Sequence, residues 1–299
     1  MFVPVAGRFG EVGMQRVILC ADDYGLAPGV GESIRELIGK GRLSATSCMT
    51  VCPFWPEEAE RLKPLADRAD IGLHLTLTDH SPLGAMPGLA PSGRLPPLKA
   101  LMGRAFAGQL DAREVAGEVE RQVAAFTAAF GRPPDYIDGH QHVHQLPTVR
   151  EAVATALARL PGAYVRLCGE PRRAILRRGV SVPKALLISE LGGGLAALAR
   201  AAGIPANDGF RGVYDFSGSI PFGALMPRFL DPPAARPLVM VHPGIPDDAL
   251  RRADPVVDQR LVEHEYLRGD AFGTLLTARG LRPARFREFT APRSALRGT

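Results

Sequence analysis

Three histidines stand at alternate positions in the stretch Asp138-Gly139-His140-Gln141-His142-Val143-His144, directly after Tyr136-Ile137. In extended backbone alternate side chains leave the same face, so the spacing predicts His140, His142 and His144 pointing together into one site. Imidazole is the commonest protein ligand for a divalent metal, which makes three on one face a candidate metal centre. The competing interpretation is a half-buried polar strand edge. A second cluster is Asp22-Asp23, two adjacent carboxylates behind the apolar run 16–21. Either could cap a following helix, because Asp is a favoured N-cap and suits the positive helix end. Together with histidines at other strand ends, one Asp can be a ligand and the other a free base. One carboxylate and two imidazoles leave open positions for water, as a hydrolytic centre requires. His242, followed by Pro243-Gly244, is either packed beside a turn or placed to give a proton to a leaving group. His80 and His264 have no such context and are expected at the surface.

These residues need a scaffold, and the apolar pattern supplies one. The run 16–21 is apolar on both faces, as in a parallel sheet covered by helices. A helix is expected over 29–39, closed by Gly39, Lys40 and Gly41, then a strand over 43–51 and a helix over 56–66 behind Pro56. The stretch 71–78 alternates cleanly, with Leu73, Leu75 and Leu77 opposite His74, Thr76 and Thr78. Residues 80–97 are a long Pro- and Gly-rich connection of the kind that carries function. Residues 111–130 place Val115, Val119, Val123 and Phe126 at helical spacing, with Gly131 and Pro133 as a stop. A helix from Pro147 to 160, a strand over 163–167, helices over 170–206 broken at Pro183 and at Gly192 to Gly194, a strand over 237–241 and helices over 258–268 and 270–279 complete the chain. Strand and helix alternate without an internal linker or repeat, so residues 15–299 are expected to form one (β/α) barrel domain behind a tail of residues 1–14, with Met1 or Met14 as the start. Asp22, Asp23, His74, the histidine run, Arg166 and His242 all fall at carboxyl ends of expected strands. In parallel α/β barrels sites are built there.

Composition narrows the partners. With 46% hydrophobic and 22% charged residues the chain has the make-up of a soluble globular protein. No uninterrupted apolar run of roughly 20 residues is evident, so no membrane span and a cytoplasmic location are expected. The net charge of +5 comes from arginines scattered along the chain. The densest group, Arg172, Arg173, Arg177 and Arg178, has no interleaved aromatics, which points to a solvated helix face and away from nucleic acid. Cys20, Cys48, Cys52 and Cys168 sit in apolar stretches, and the Cys48 to Cys52 spacing is not that of a zinc ribbon.

The segments 21–30 (ADDYGLAPGV), 72–78 (GLHLTLT), 85–88 (AMPG), 130–147 (FGRPPDYIDGHQHVHQLP) and 241–244 (VHPG) together resemble the YdjC-like carbohydrate deacetylases, including the ChbG and hopanoid-associated HpnK groups. The resemblance spans most of the chain in the family's order. It implies a distorted (β/α) TIM-like barrel of the glycoside hydrolase/deacetylase type, and metal-dependent removal of acetyl from an N-acetylated amino sugar. Carried over, it makes Asp23, His74 and His140 the metal ligands, Asp22 the general base and His242 the acid. Arg166 would orient the catalytic carboxylate, and His142 and His144 would support the site or touch substrate. Mg is the ion the resemblance favours, with Zn, Mn or Co as alternatives, and a homodimer is allowed. Residues 168–236 follow the family loosely, so Phe210 and Tyr214 are expected to shape the substrate pocket. The rival functions are a metal-dependent phosphohydrolase or amidase on a non-sugar substrate, which lacks support from any Gly-rich phosphate loop, and a non-catalytic sugar-binding barrel.

Overall fold

The computed structural model describes residues 14–231 and 234–290, so all of the expected N-terminal tail but Met14 lies outside the described residues. The apolar runs become β1 (Gln15–Tyr24), β2 (Ala45–Cys48), β3 (Asp70–Leu75), β4 (Tyr136–Gly139), β5 (Tyr164–Val165), β6 (Phe210–Arg211), β7 (Leu238–Val241) and β8 (Leu281–Pro283). Pairing is parallel throughout, in the order β5-β4-β3-β2-β1-β7-β6, with β8 against the start of β1. The sheet curls until its ends approach. The Val165 N–H donates to the Pro205 carbonyl at 2.9 Å, and the Asn207 side chain bonds both the N–H and the carbonyl of Leu167. This is the curled parallel sheet with flanking helices that alternating strands and helices predict.

Alternation along β1 divides the core in two. Val17, Leu19 and Ala21 face the helices, while Ile18 and Cys20 face the barrel interior with Tyr136, Tyr164, Leu238 and Met240. Phe286, delivered by β8, stacks on Tyr164 at 4.1 Å, and Tyr164 stacks on Tyr136 at 4.7 Å. These rings fill the amino-terminal end of the barrel and leave the carboxyl end for a site. Gly72 on β3 makes the filling possible, since a Cβ there would lie 2.4 Å from the Tyr136 ring.

Several expectations need correction. The strands over 43–51 and 71–78 are shorter than their apolar patterns, whereas the expected break at Pro183 is present, between the helices Arg172–Arg178 and Val182–Leu191. The two-residue strands β5 and β6, β8, and the helices Leu98–Phe106, Phe222–Phe229 and Asp248–Ala253 are too short or too mixed to stand out in the sequence. The stretch Val182–Ala201 is apolar enough, at a mean hydropathy of 1.3 over its most apolar window, to pass for a membrane span by length and composition. It is nevertheless divided at Gly192 into the helices Val182–Leu191 and Gly193–Ala201. Cys20 is not in an apolar setting, because its sulfur lies 3.1 Å from the Tyr136 hydroxyl and 3.7 Å from Asp22.

Candidate active site

A regular strand would send Asp22 and Asp23 to opposite faces, yet both line one cavity at the carboxyl end of the barrel. The cause is an irregularity in the β1 register between Ala21 and Tyr24, where Asp23 takes a left-handed φ of 68°. Positive φ at a non-glycine residue is strained and is tolerated where surrounding contacts enforce it. The contacts here are those of the carboxylate. Asp23 Oδ1 is 3.0 Å from His140 Nδ1 and 3.3 Å from His74 Nε2, and Oδ2 accepts from Arg260 at 2.6 Å.

His74 reaches Asp23 with Nε2 because its Nδ1 is held 2.6 Å from Asp138 Oδ1. This carboxylate behind a ligating imidazole is the usual outer support of a metal-binding histidine. The ligand atoms of Asp23, His74 and His140 lie within 4.8 Å of one another. Burial alone would lift the Asp23 carboxyl, but Arg260 and the two histidines hold it well below the ordinary range. For His74, burial opposes protonation, yet Asp138 and Asp22 outweigh it and raise the imidazole to about 10. One carboxylate and two imidazoles converging in this way suit a divalent cation. The second acidic cluster, Cys20, Asp22 and Asp138, does not fit one, because the Arg166 guanidinium already occupies it, 2.6 Å from Asp22 and 3.0 Å from Asp138.

Asp22 stands beside the three converging residues. Arg166 grips its two oxygens at 2.6 and 2.9 Å, and Asp22 Oδ2 lies 3.9 Å from His74 Nε2 and 4.0 Å from His242 Nε2. His242 sits just beyond β7, where its backbone N–H donates to Glu263 Oε2 at 2.6 Å and its Nδ1 has no partner. Burial pushes its imidazole down to about 4, so it rests neutral.

The histidine run is corrected as well. β4 ends at Gly139, and residues His140–Gln145 form a tight 3₁₀ turn in which Gln141 and His142 have φ of 53° and 62°. The three imidazoles therefore diverge. His140 goes to Asp23 and His142 lines the cavity with its ring edge-on to Phe210 at 5.4 Å. His144 folds back over Gly139, where a Cβ would lie 2.9 Å from its backbone nitrogen, and its Nε2–H donates to the Arg166 carbonyl at 2.8 Å. Burial and Arg166 lower both His142 and His144, the latter to about 4, so both are neutral. His144 and Phe210 lie outside the cavity lining, and Phe210 sits under the Arg166 guanidinium at 5.6 Å. They brace Arg166, so His144 takes the supporting one of its two expected roles, and Phe210 stands behind the pocket it was expected to shape. Tyr214 does line the cavity, with its hydroxyl donated to Glu263.

Arg260 and Glu263 were missed. Both are buried on helix Asp258–Arg268, one holding Asp23 and the other His242 and Tyr214. Their signal was spacing: Arg260, Glu263, His264 and Leu267 fall on one helical face, and that face turns inward. His264 is accordingly buried rather than exposed, with Nδ1 2.8 Å from the Ser33 hydroxyl. His80 is half-buried and lines the cavity, with its ring 6.2 Å from that of His140.

The cavity holds about 470 Å³. A family model described as YdjC-like protein matches residues 16–278. Chitooligosaccharide deacetylases from Serratia marcescens and Yersinia pestis are 40% and 42% identical over 152 residues, which is 50% of this chain and 58% of each relative. The chain thus spans little more than half the length of the curated relatives it matches. A solved structure from Enterococcus faecalis, of a protein named for cellobiose-phosphate cleavage, superposes with a TM-score of 0.70 over 92% of this chain and 98% of that one. At 22% identity the two share the fold.

Proposed function

The chain belongs to the YdjC-like protein family, and from that premise we propose that it is a metal-dependent hydrolase releasing acetate from an N-acetylated amino sugar. The observation that carries this reading is the meeting of Asp23, His74 and His140 beside an Asp22 that none of them engages within hydrogen-bonding distance. The names of the relatives from Serratia and Yersinia support the same chemistry. Asp23, His74 and His140 would hold the cation, which when bound supplies a positive charge that acidifies water and polarises an amide carbonyl. Mixed nitrogen and oxygen ligation does not select sharply among Mg, Zn, Mn and Co: the family likeness favours Mg, and the two imidazoles favour Zn.

In this reading Asp22 takes the proton of the attacking water, with Arg166 fixing the plane of its carboxylate through the paired bonds. His242, neutral at rest and 4.0 Å from Asp22, receives that proton through one bridging water and delivers it to the departing amine. The balance closes: the water oxygen goes to acetate and its proton to the amino sugar. Burial of Asp22, Asp23 and His74 keeps competing water from the reacting bond.

The deciding experiment is acetate release from N,N′-diacetylchitobiose and from simple N-acetylglucosaminides by the purified chain supplied with each divalent metal in turn. Asp22→Asn should retain metal and fold while losing acetate release. Undiminished turnover in that variant removes Asp22 as the base.

A further inference from the structure

Among the described residues, two that line the cavity keep a buried polar atom without a partner: His242 at Nδ1 and Arg260 at Nη1. Buried polar atoms in folded proteins are almost always hydrogen-bonded, so an orphan beside a reactive cavity calls for a ligand. The two atoms differ in kind. A neutral imidazole nitrogen can give or take a hydrogen bond, whereas a guanidinium is always charged and only donates. Whatever meets Arg260 Nη1 is therefore an acceptor, and one that carries negative charge is held most strongly.

The other guanidinium nitrogens are committed. Nη2 donates to Asp23 Oδ2 at 2.6 Å and to Asp254 Oδ2, and Nε donates to the Val256 carbonyl at 3.0 Å. The turn that carries His242 holds the same residue from behind. The Gly244 N–H donates to the Arg260 carbonyl at 3.0 Å, and a Cβ at Gly244 would lie 3.3 Å from Arg260 Cβ. The guanidinium is thus fixed before any ligand arrives, the condition under which a donor stabilises developing charge without a cost in reorganisation. Its place is equally defined. Arg260 and Glu263 share one face of helix Asp258–Arg268, the first bonded to Asp23 and the second to the His242 N–H, so the guanidinium stands on the side of the site that Asp23 and His242 share. In the deacetylase reading Asp22 attends the attacking water and His242 the departing nitrogen. The acetyl oxygen is the amide atom that remains, and it gains negative charge as the water adds to the carbonyl carbon.

We propose that Arg260 is a catalytic residue, its Nη1 donating to the acetyl oxygen of the substrate and then to the acetate product. The inference rests on the deacetylase reading, and the experiment separates the two. The full chain and the variants Arg260→Lys and Arg260→Gln are saturated with zinc and their zinc content is measured. Acetate affinity by ligand-observed NMR is then set beside kcat and KM for N,N′-diacetylchitobiose. Arg260→Lys keeps a cation against Asp23 and Asp254 but loses the planar fork that presents a further N–H. At zinc content equal to the wild type, both variants should lose at least about a hundredfold in kcat, the scale for removing one oxyanion donor, with little change in KM, because the charge develops only in the transition state. Acetate affinity should fall at least about tenfold, the scale of a hydrogen bond to a charged group. A guanidinium that only braces Asp23 would move zinc affinity and leave acetate affinity at saturating zinc unchanged. Unchanged kcat or unchanged acetate affinity in the zinc-loaded variants overturns the donor and leaves the deacetylase reading standing. So does loss of zinc from both variants, which makes Arg260 a brace for Asp23 alone. Acetate bound by the wild type and lost in the variants, with none released from any N-acetyl sugar, keeps the acetate site and overturns the deacetylase reading.

Discussion

Arg166 holds Asp22 through two nearly parallel N–H···O bonds of 2.6 and 2.9 Å, with its guanidinium wholly buried and a second carboxylate, Asp138, 3.0 Å from the same nitrogen. One cation thus neutralises two buried carboxylates, and removing it leaves Asp22 without its paired donor and Asp138 with His74 alone for countercharge. Arg166→Met should destabilise the fold by about 3–5 kcal/mol, the scale for breaking a buried pair. Arg166→Lys retains charge but loses the paired geometry, so it should keep most of the stability and lose orientation of Asp22. Urea unfolding of both variants beside their acetate-release rates checks this. Equal stability of the Met variant and the wild type would mean the guanidinium is not the partner of both carboxylates.

A cation held by Asp23, His74 and His140, as proposed, would stabilise the folded state, since the unfolded chain offers no such cluster. At a free metal concentration about a hundred times its Kd the gain is roughly 2.7 kcal/mol. Stripping the protein with a chelator should lower Tm, and the added metal should restore it in proportion to occupancy. Asp23→Asn and His74→Ala should abolish that metal-dependent shift. A Tm indifferent to every divalent ion tested would remove the metal centre.

Glu263 carries the clearest pH signature. Burial raises its carboxyl from 4.5 to about 7, against the opposing effect of the bonds from Tyr214 and the His242 N–H. A carboxyl whose folded pKa exceeds its unfolded one binds more protons in the folded state, so stability falls as pH rises. The contribution is complete below pH 4.5 and is lost on passing upward through about 7. Glu263→Gln, which mimics the protonated form, should remove that decline, and the difference between the two stability curves should grow by roughly 3 kcal/mol between pH 4.5 and 8. Parallel curves would mean Glu263 stays ionised throughout.

The scaffold was largely legible because burial on both faces leaves an uninterrupted apolar run, as at β1 and β7, and because the stop at Gly131 closes the helix Ala112–Phe130 with a left-handed φ of 88°. Asp22, Asp23, His74, His140 and His242 were legible from their place at strand ends. What was hidden depends on backbone irregularity. The φ of 68° at Asp23 and the left-handed pair Gln141 and His142 have no marker glycine, so the alternation rule placed three imidazoles together where only one reaches Asp23. Arg260 was hidden for another reason. It lies 237 positions from its partner Asp23, and nothing local in the helix says which carboxylate it will meet.

The divergence of the histidine run yields a last prediction, in which residues four apart behave as different kinds. His140 turns toward Asp23, so His140→Ala should lose the retained metal while leaving the apo protein close to wild-type stability. His144 donates instead to the Arg166 carbonyl from a wholly buried position. Deleting it leaves that carbonyl without its donor and opens space behind Arg166, so His144→Ala should cost about 1–3 kcal/mol in unfolding free energy while metal content stays near that of the wild type. Metal analysis and denaturant midpoints of the two variants separate these outcomes. If His144→Ala emptied the site while His140→Ala kept it, the turn at Gln141 and His142 would have to be redrawn as the extended strand that alternation predicts.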